Sequence, residues 1–180
     1  MRSYVVEGIV LKSRQWGEAD QILTVFTKEQ GKVVVRAPGA RRVTSRKRGS
    51  IQTFSRVKLF VVRGKTWDVV TEAEMISGVF GEKDLGKLVL AYQWVELVDK
   101  LTAEGQEQKE VYELLRLALS SLEKVTKDKT GEWKRRFTVK LLVLLGFWPD
   151  GREVRGKEMD LYVEEILGRR LTSEEMWGEE

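Results

Sequence analysis

Residues 37–50, APGARRVTSRKRGS, carry Arg41, Arg42, Arg46, Lys47 and Arg48 and no acidic residue. Pro38, Gly39 and Gly49 bracket the run, so it reads as a loop. Loops of this length in compact domains tend to be functional or disordered. The chemistry open to five clustered cations is capture of a polyanion. Each phosphate neutralised by Lys or Arg releases condensed counterions, a gain that needs no reading of base sequence. A solvated connection that binds nothing has the same composition, so the loop alone does not decide. Lys12, Arg14, Lys32, Arg36, Arg56 and Lys58 on adjoining segments extend the set of candidate phosphate contacts. Phe54 and Phe60 share a strand face with Arg56 and Lys58, and Trp16 lies in the first turn. Aromatic rings so placed either stack on bases or pack a core.

Other constellations are weaker. Lys134, Arg135 and Arg136 stand beside Trp133 and Phe137, a pattern that suits an acidic peptide as well as a solvated helix turn. Glu72 with Glu74, and Glu18 with Asp20, form carboxylate pairs of the kind that hold metals or move protons; solvated strand and turn charges account for them more simply. The chain has no His and no Cys. A Ser-His-Asp triad, a cysteine nucleophile and an ordinary zinc site are therefore excluded, and neither metal nor cofactor is expected.

The elements that must position these residues follow from the hydrophobic period. Up to about residue 78, YVVEGIVLKSR, QILTVFT, KVVVRA, FSRVKLFVV and TWDVVTEAE each read as a strand. In the fourth, Val57, Leu59 and Val61 point one way and Arg56, Lys58 and Phe60 the other; in the third, Lys32, Val34 and Arg36 oppose Val33 and Val35. KEQGK joins two strands by a hairpin turn at Gly31. Five strands with one long loop between the third and fourth predict a small barrel of the OB type. Beyond residue 82 the period becomes helical. Helices are expected over the segments of Leu85–Val98, Val111–Val125 and 132–147, with a weaker one at MDLYVEEILG and a capping box from Thr172 to Glu175. The fold class is thus α+β: an N-terminal OB barrel, residues 1–79, and a C-terminal helical domain, residues 80–180.

Charge divides at the same place. Residues 1–80 carry 15 Lys and Arg against 7 Asp and Glu, a net of +8, and the remainder is net −4. A basic barrel on a mildly acidic support suits a polyanion partner. The opening MRSYVVEGIVLKSR is interrupted by Glu7 and Lys12, unlike a signal peptide, and no apolar run approaches a membrane span. A cytoplasmic protein is expected.

The residues also carry a family resemblance. Gly8-Ile9-Val10-Leu11-Lys12-Ser13-Arg14, Gly17-Glu18-Ala19-Asp20, Phe26-Thr27, Gly31-Lys32 and Gly39-Ala40-Arg41-Arg42 resemble the N-terminal domain of the RecO family of bacterial recombination mediators. Leu144-Leu145-Gly146-Phe147 with Pro149 resembles that family's signature in its helical domain. The resemblance implies binding of single- and double-stranded DNA and annealing of complementary strands. It also implies two protein partners: RecR, with which such proteins help load RecA, and single-strand DNA-binding protein, whose acidic C-terminal tail docks on the helical domain. A nucleoid-associated cytoplasmic location goes with it. Many members carry a four-cysteine zinc module after the Leu-Gly-Phe-x-Pro motif; here that position reads DGREVRGKEMD, and the chain is shorter in its C-terminal half. An RNA- or ribosome-associated OB protein would show the same charge pattern, and a carboxylate-metal nuclease is a further rival.

Overall fold

The computed structural model of the protein describes residues 2–42, 45, 47, 49–79, 82–153 and 157–173. Arg46 and Arg48 of the basic loop, and Glu175 of the expected capping box, lie outside the described residues. Five strands, β1 (Ser3–Trp16), β2 (Asp20–Thr27), β3 (Gly31–Ala37), β4 (Arg56–Val62) and β5 (Asp68–Ser77), close into a barrel in the order β1-β2-β3-β5-β4. β3 and β5 run parallel and the other neighbours antiparallel. This is the five-stranded OB barrel that the strand pattern predicts. β1 serves two neighbours, pairing with β4 through Ser3–Ile9 and with β2 from Gly8 onward, and a register shift between Val10 and Lys12 bends it.

The alternation read in β4 holds. Val57, Leu59 and Val61 enter the barrel interior with Val6, Val10, Leu23, Val25, Val35 and Val70, all at most 2% exposed. Ala40 and Ile51, from the long loop between β3 and β4, join that interior and are as deeply buried. The loop is therefore fastened at both ends by apolar side chains. Phe54 departs from the strand expected of it. Its φ of 73° precedes the start of β4, and its ring, 6% exposed, packs edge-on to Tyr92 at 4.7 Å.

Among the described residues four α-helices follow: α1 (Leu85–Leu101), α2 (Lys109–Ser120), α3 (Thr130–Leu144) and α4 (Glu158–Leu167). Asp84 caps α1 by accepting the Lys87 N–H at 3.2 Å. α2 ends earlier than its apolar period suggests. Ser120 donates its hydroxyl to the Leu117 carbonyl and the chain tightens into 3-10 turns at Leu122–Lys124 and Lys127–Lys129. Leu122 and Val125 still reach the core.

The outer surface of the barrel supplies Ile9, Leu11 and Phe26 to the same buried cluster as Trp94, Val98, Tyr112, Leu115, Phe137 and Leu141. Beside the barrel's own interior, barrel and helices thus share a second apolar cluster at their junction. The segment joining α1 to α2 also covers the β3 edge, with a parallel bridge between Lys32 and Glu104 and the Gly105 N–H donating to the Lys32 carbonyl at 2.9 Å. Gly31 allows this approach: its φ is +64°, and a Cβ there would collide with the backbone carbonyl of Gln106.

Candidate nucleic-acid interface

One end of the barrel gathers the β1–β2 turn, the start of the basic loop and the β4–β5 turn. Asp20 organises the first two. Its Oδ1 accepts the Gly39 N–H at 2.8 Å, and its Oδ2 accepts from Arg36 Nε at 2.8 Å. The Gly39 amide, and then the Arg36 guanidinium, hold the Asp20 carboxyl below the usual aspartate range. Arg41 closes the clasp from the other side. Its backbone N–H donates to the Ala19 carbonyl at 2.9 Å, and its Nη1 reaches the carbonyls of Glu18 at 3.1 Å and Gly17 at 3.3 Å. Lys47 donates to the Val70 carbonyl at 2.9 Å, and burial pushes its ammonium below the usual lysine value, with Asp20 opposing.

Three of the loop cations are described, and they divide by task. Arg41 and Lys47 fasten the loop to the barrel, whereas the Arg42 guanidinium is exposed and makes no hydrogen bond or ion pair among the described residues. Arg14 is likewise exposed. Register places Arg14, Ile22 and Arg36 in one row across β1, β2 and β3, on the outer face of the barrel. Arg14, Arg36, Arg41 and Arg42 are therefore brought to the same end.

The remaining strand cations go elsewhere. Lys32 lies under α1, donating to the carbonyls of Asp99 and Thr102 where the helix dipole is negative. Lys12 pairs with Asp99 at 2.7 Å. Arg56 donates through Nε and Nη2 to Glu7 Oε1, which also accepts the Tyr112 hydroxyl at 2.8 Å. Burial raises the Glu7 carboxyl, but these donors outweigh it and hold the group below its ordinary value. Lys12, Lys32 and Arg56 thus tie barrel to helices. Lys58 is exposed on the outer face of β4, 5.4 Å over the Phe60 ring. Glu72 and Glu74 sit opposite Phe60 and Lys58 on β5.

Sequence reasoning missed Trp67. Its ring lies 6.2 Å from that of Trp16, tilted by 53°, so the pair bridges the β1–β2 and β4–β5 turns. Exposed Arg63 and Lys65 flank it. The signal available was RGKTWD, a turn composition holding a tryptophan close to two cations.

On the helical side, Phe137 is 4% exposed and packs 5.4 Å from Trp94, and Trp133 packs on the same core. The Phe137 ring has no free face of the kind a docked peptide covers, whereas Trp133 is half-buried and keeps part of its surface open. Lys134 pairs with Asp160 at 2.9 Å and Arg136 with Glu132 at 2.7 Å. Arg135 and Arg136 line a groove of about 770 Å³ with Val139, Lys140, Val143, Leu144, Asp150 and Glu153. Its apolar floor is the next turns of α3, not the two aromatic rings.

The architecture defines the class: an OB-fold protein with a helical domain packed on its barrel. The family model for the N terminus of recombination protein O matches residues 1–79, and that for its C terminus matches residues 82–153. The chain belongs to the RecO family of DNA repair proteins. It is 40% identical to the DNA repair protein RecO of Desulforudis audaxviator over 83% of this chain and 59% of that one. Identity to the RecO of Desulforamulus reducens is 35%, over 92% of this chain and 66% of the relative. The chain therefore spans less than two thirds of the length of these relatives.

Proposed function

We propose that the chain is a DNA repair and recombination mediator that binds single- and double-stranded DNA and anneals complementary strands. It acts without a covalent step of its own. Residues 1–79 form the DNA-binding unit, and residues 80–180 support it and meet its protein partners. With RecR it helps load RecA onto DNA coated by single-strand DNA-binding protein, at the nucleoid in the cytoplasm. The observation that carries this reading is the clasp of Asp20 and Arg41. It holds the basic loop against the first turn and leaves Arg14 and Arg42 free to meet phosphate. Masking phosphate repulsion lets two strands approach while their base edges stay open for pairing.

The test is single-stranded DNA binding across a salt series, paired with a strand-annealing assay. Replacing Arg14 and Arg42 by Ala should flatten the log–log salt slope by about 0.7 for each phosphate no longer neutralised, and slow annealing in step. An unaltered slope sinks this assignment of the DNA path. A tighter hold on RNA than on DNA of equal length would favour an RNA-associated role instead.

A further inference from the structure

Resting on the reading that this end of the barrel takes DNA, we propose that Trp16 and Trp67 form a stacking platform for unpaired bases. The platform makes the rim prefer single strands to duplex. Trp16 stands apart from the buried tryptophans of this chain, and Trp67 beside it is half-buried. Trp94 is 0% and Trp148 4% exposed, whereas Trp16 is 46% exposed. At a centroid separation of 6.2 Å the rings already touch, so no base fits between them. The free surface is that of Trp16, 46% exposed, with the half-buried Trp67 ring tilted against it.

The support beneath the pair is rigid. Gly64 passes so close to the Trp67 carbonyl that a Cβ would collide with it, and the Gly64 N–H donates to Asp68 Oδ1 at 3.2 Å. Asp68 Oδ2 in turn accepts the Tyr4 hydroxyl at 2.7 Å. The turn bearing Trp67 is thus fixed to β1, and the turn bearing Trp16 is fixed by Asp20 and Arg41. A ring held in advance loses little freedom when a base lands on it. Charge complementarity names the occupant. Exposed Arg14 lies two residues before Trp16 on β1, exposed Arg63 and Lys65 precede Trp67 on its turn, with Arg63 5.6 Å over the Tyr4 ring, and exposed Arg42 lies on the loop clasped to the first turn. Cations so placed can track a phosphate backbone while an aromatic face takes its bases. Bases inside a duplex have both faces stacked on neighbours and cannot use the platform. Stacking and phosphate binding therefore separate experimentally.

The purified chain is titrated, by fluorescence anisotropy, against three labelled probes of equal length: oligo-dT, an abasic strand and a blunt duplex. Trp16→Ala should weaken oligo-dT binding about tenfold and leave the abasic strand and the duplex as in the wild type. Trp67→Ala should show a smaller loss of the same selectivity, and Trp16→Phe should restore most of the affinity. Oligo-dT should also quench wild-type tryptophan emission more than it quenches that of Trp16→Phe. Equal losses on all three probes, or no loss on any while the wild type binds, overturn the platform alone. A wild-type chain that binds none of the probes overturns the DNA reading and the platform together.

Discussion

Asp20 shows how one carboxylate links fold to function. It ends the turn Gly17–Asp20 and receives Gly39 and Arg36 from a segment 16 or more positions further along the chain. The short spacing from Glu18 suggests a carboxylate pair; Asp20 instead has its oxygens engaged by an amide and a guanidinium. Asp20→Ala should lower stability by roughly 1–3 kcal/mol, because it strands a half-buried amide and a charged donor. It should also release the loop, so DNA affinity falls although every phosphate-binding side chain is still present. The sign of the pH effect follows from the depressed carboxyl of Asp20. Its stabilisation is present above the ordinary aspartate value of about 4 and is lost as pH falls through the lower folded value. As pH falls below about 4, wild-type melting temperature should therefore drop more steeply than that of Asp20→Asn. Parallel curves for the two proteins would remove this role.

At the scale of elements, α3 shows both what a period reveals and what it hides. The stripe of Trp133, Phe137, Leu141 and Leu144 was legible as apolar spacing, and all four do face the core. The spacing says nothing about which side of the helix stays open. Packing of Phe137 on Trp94 closes one side and leaves Arg135, Arg136 and Lys140 along a groove on another. If an acidic peptide tail docks on this helix, reversing Arg135 and Arg136 to Glu should weaken it at least about tenfold, since like charges across an interface cost several kcal/mol. Binding of oligo-dT by the barrel should persist. Full peptide affinity in the folded variant would place the tail elsewhere.

At the scale of the whole molecule, the sharing of Ile9, Leu11 and Phe26 with the helical core has a thermodynamic consequence. The barrel cannot lose the helices without exposing these side chains. Chemical or thermal unfolding should then be one transition, with barrel and helix signals coincident. Tyr112→Ala removes a ring buried at the junction and should lower that single midpoint, by roughly 3–5 kcal/mol of stability. Two separated transitions would show that the barrel and the helices fold independently.

The sequence by itself determined the local geometry: five strands, the hairpin at Gly31, four helices, the basic loop and the absence of His and Cys chemistry. Period, turn residues and composition act over neighbours a few positions apart, so they can be read from a string. Tertiary structure decided which charges remain available. Lys32 and Arg36 lie on the same strand face, yet one caps a helix at the barrel–helix junction and the other pairs with Asp20 at the rim. Trp16 and Trp67, far apart along the chain, meet because closure of the barrel brings their turns together. A cation's role depends on the carbonyls and carboxylates that long-range packing sets against it, and no local pattern encodes those partners.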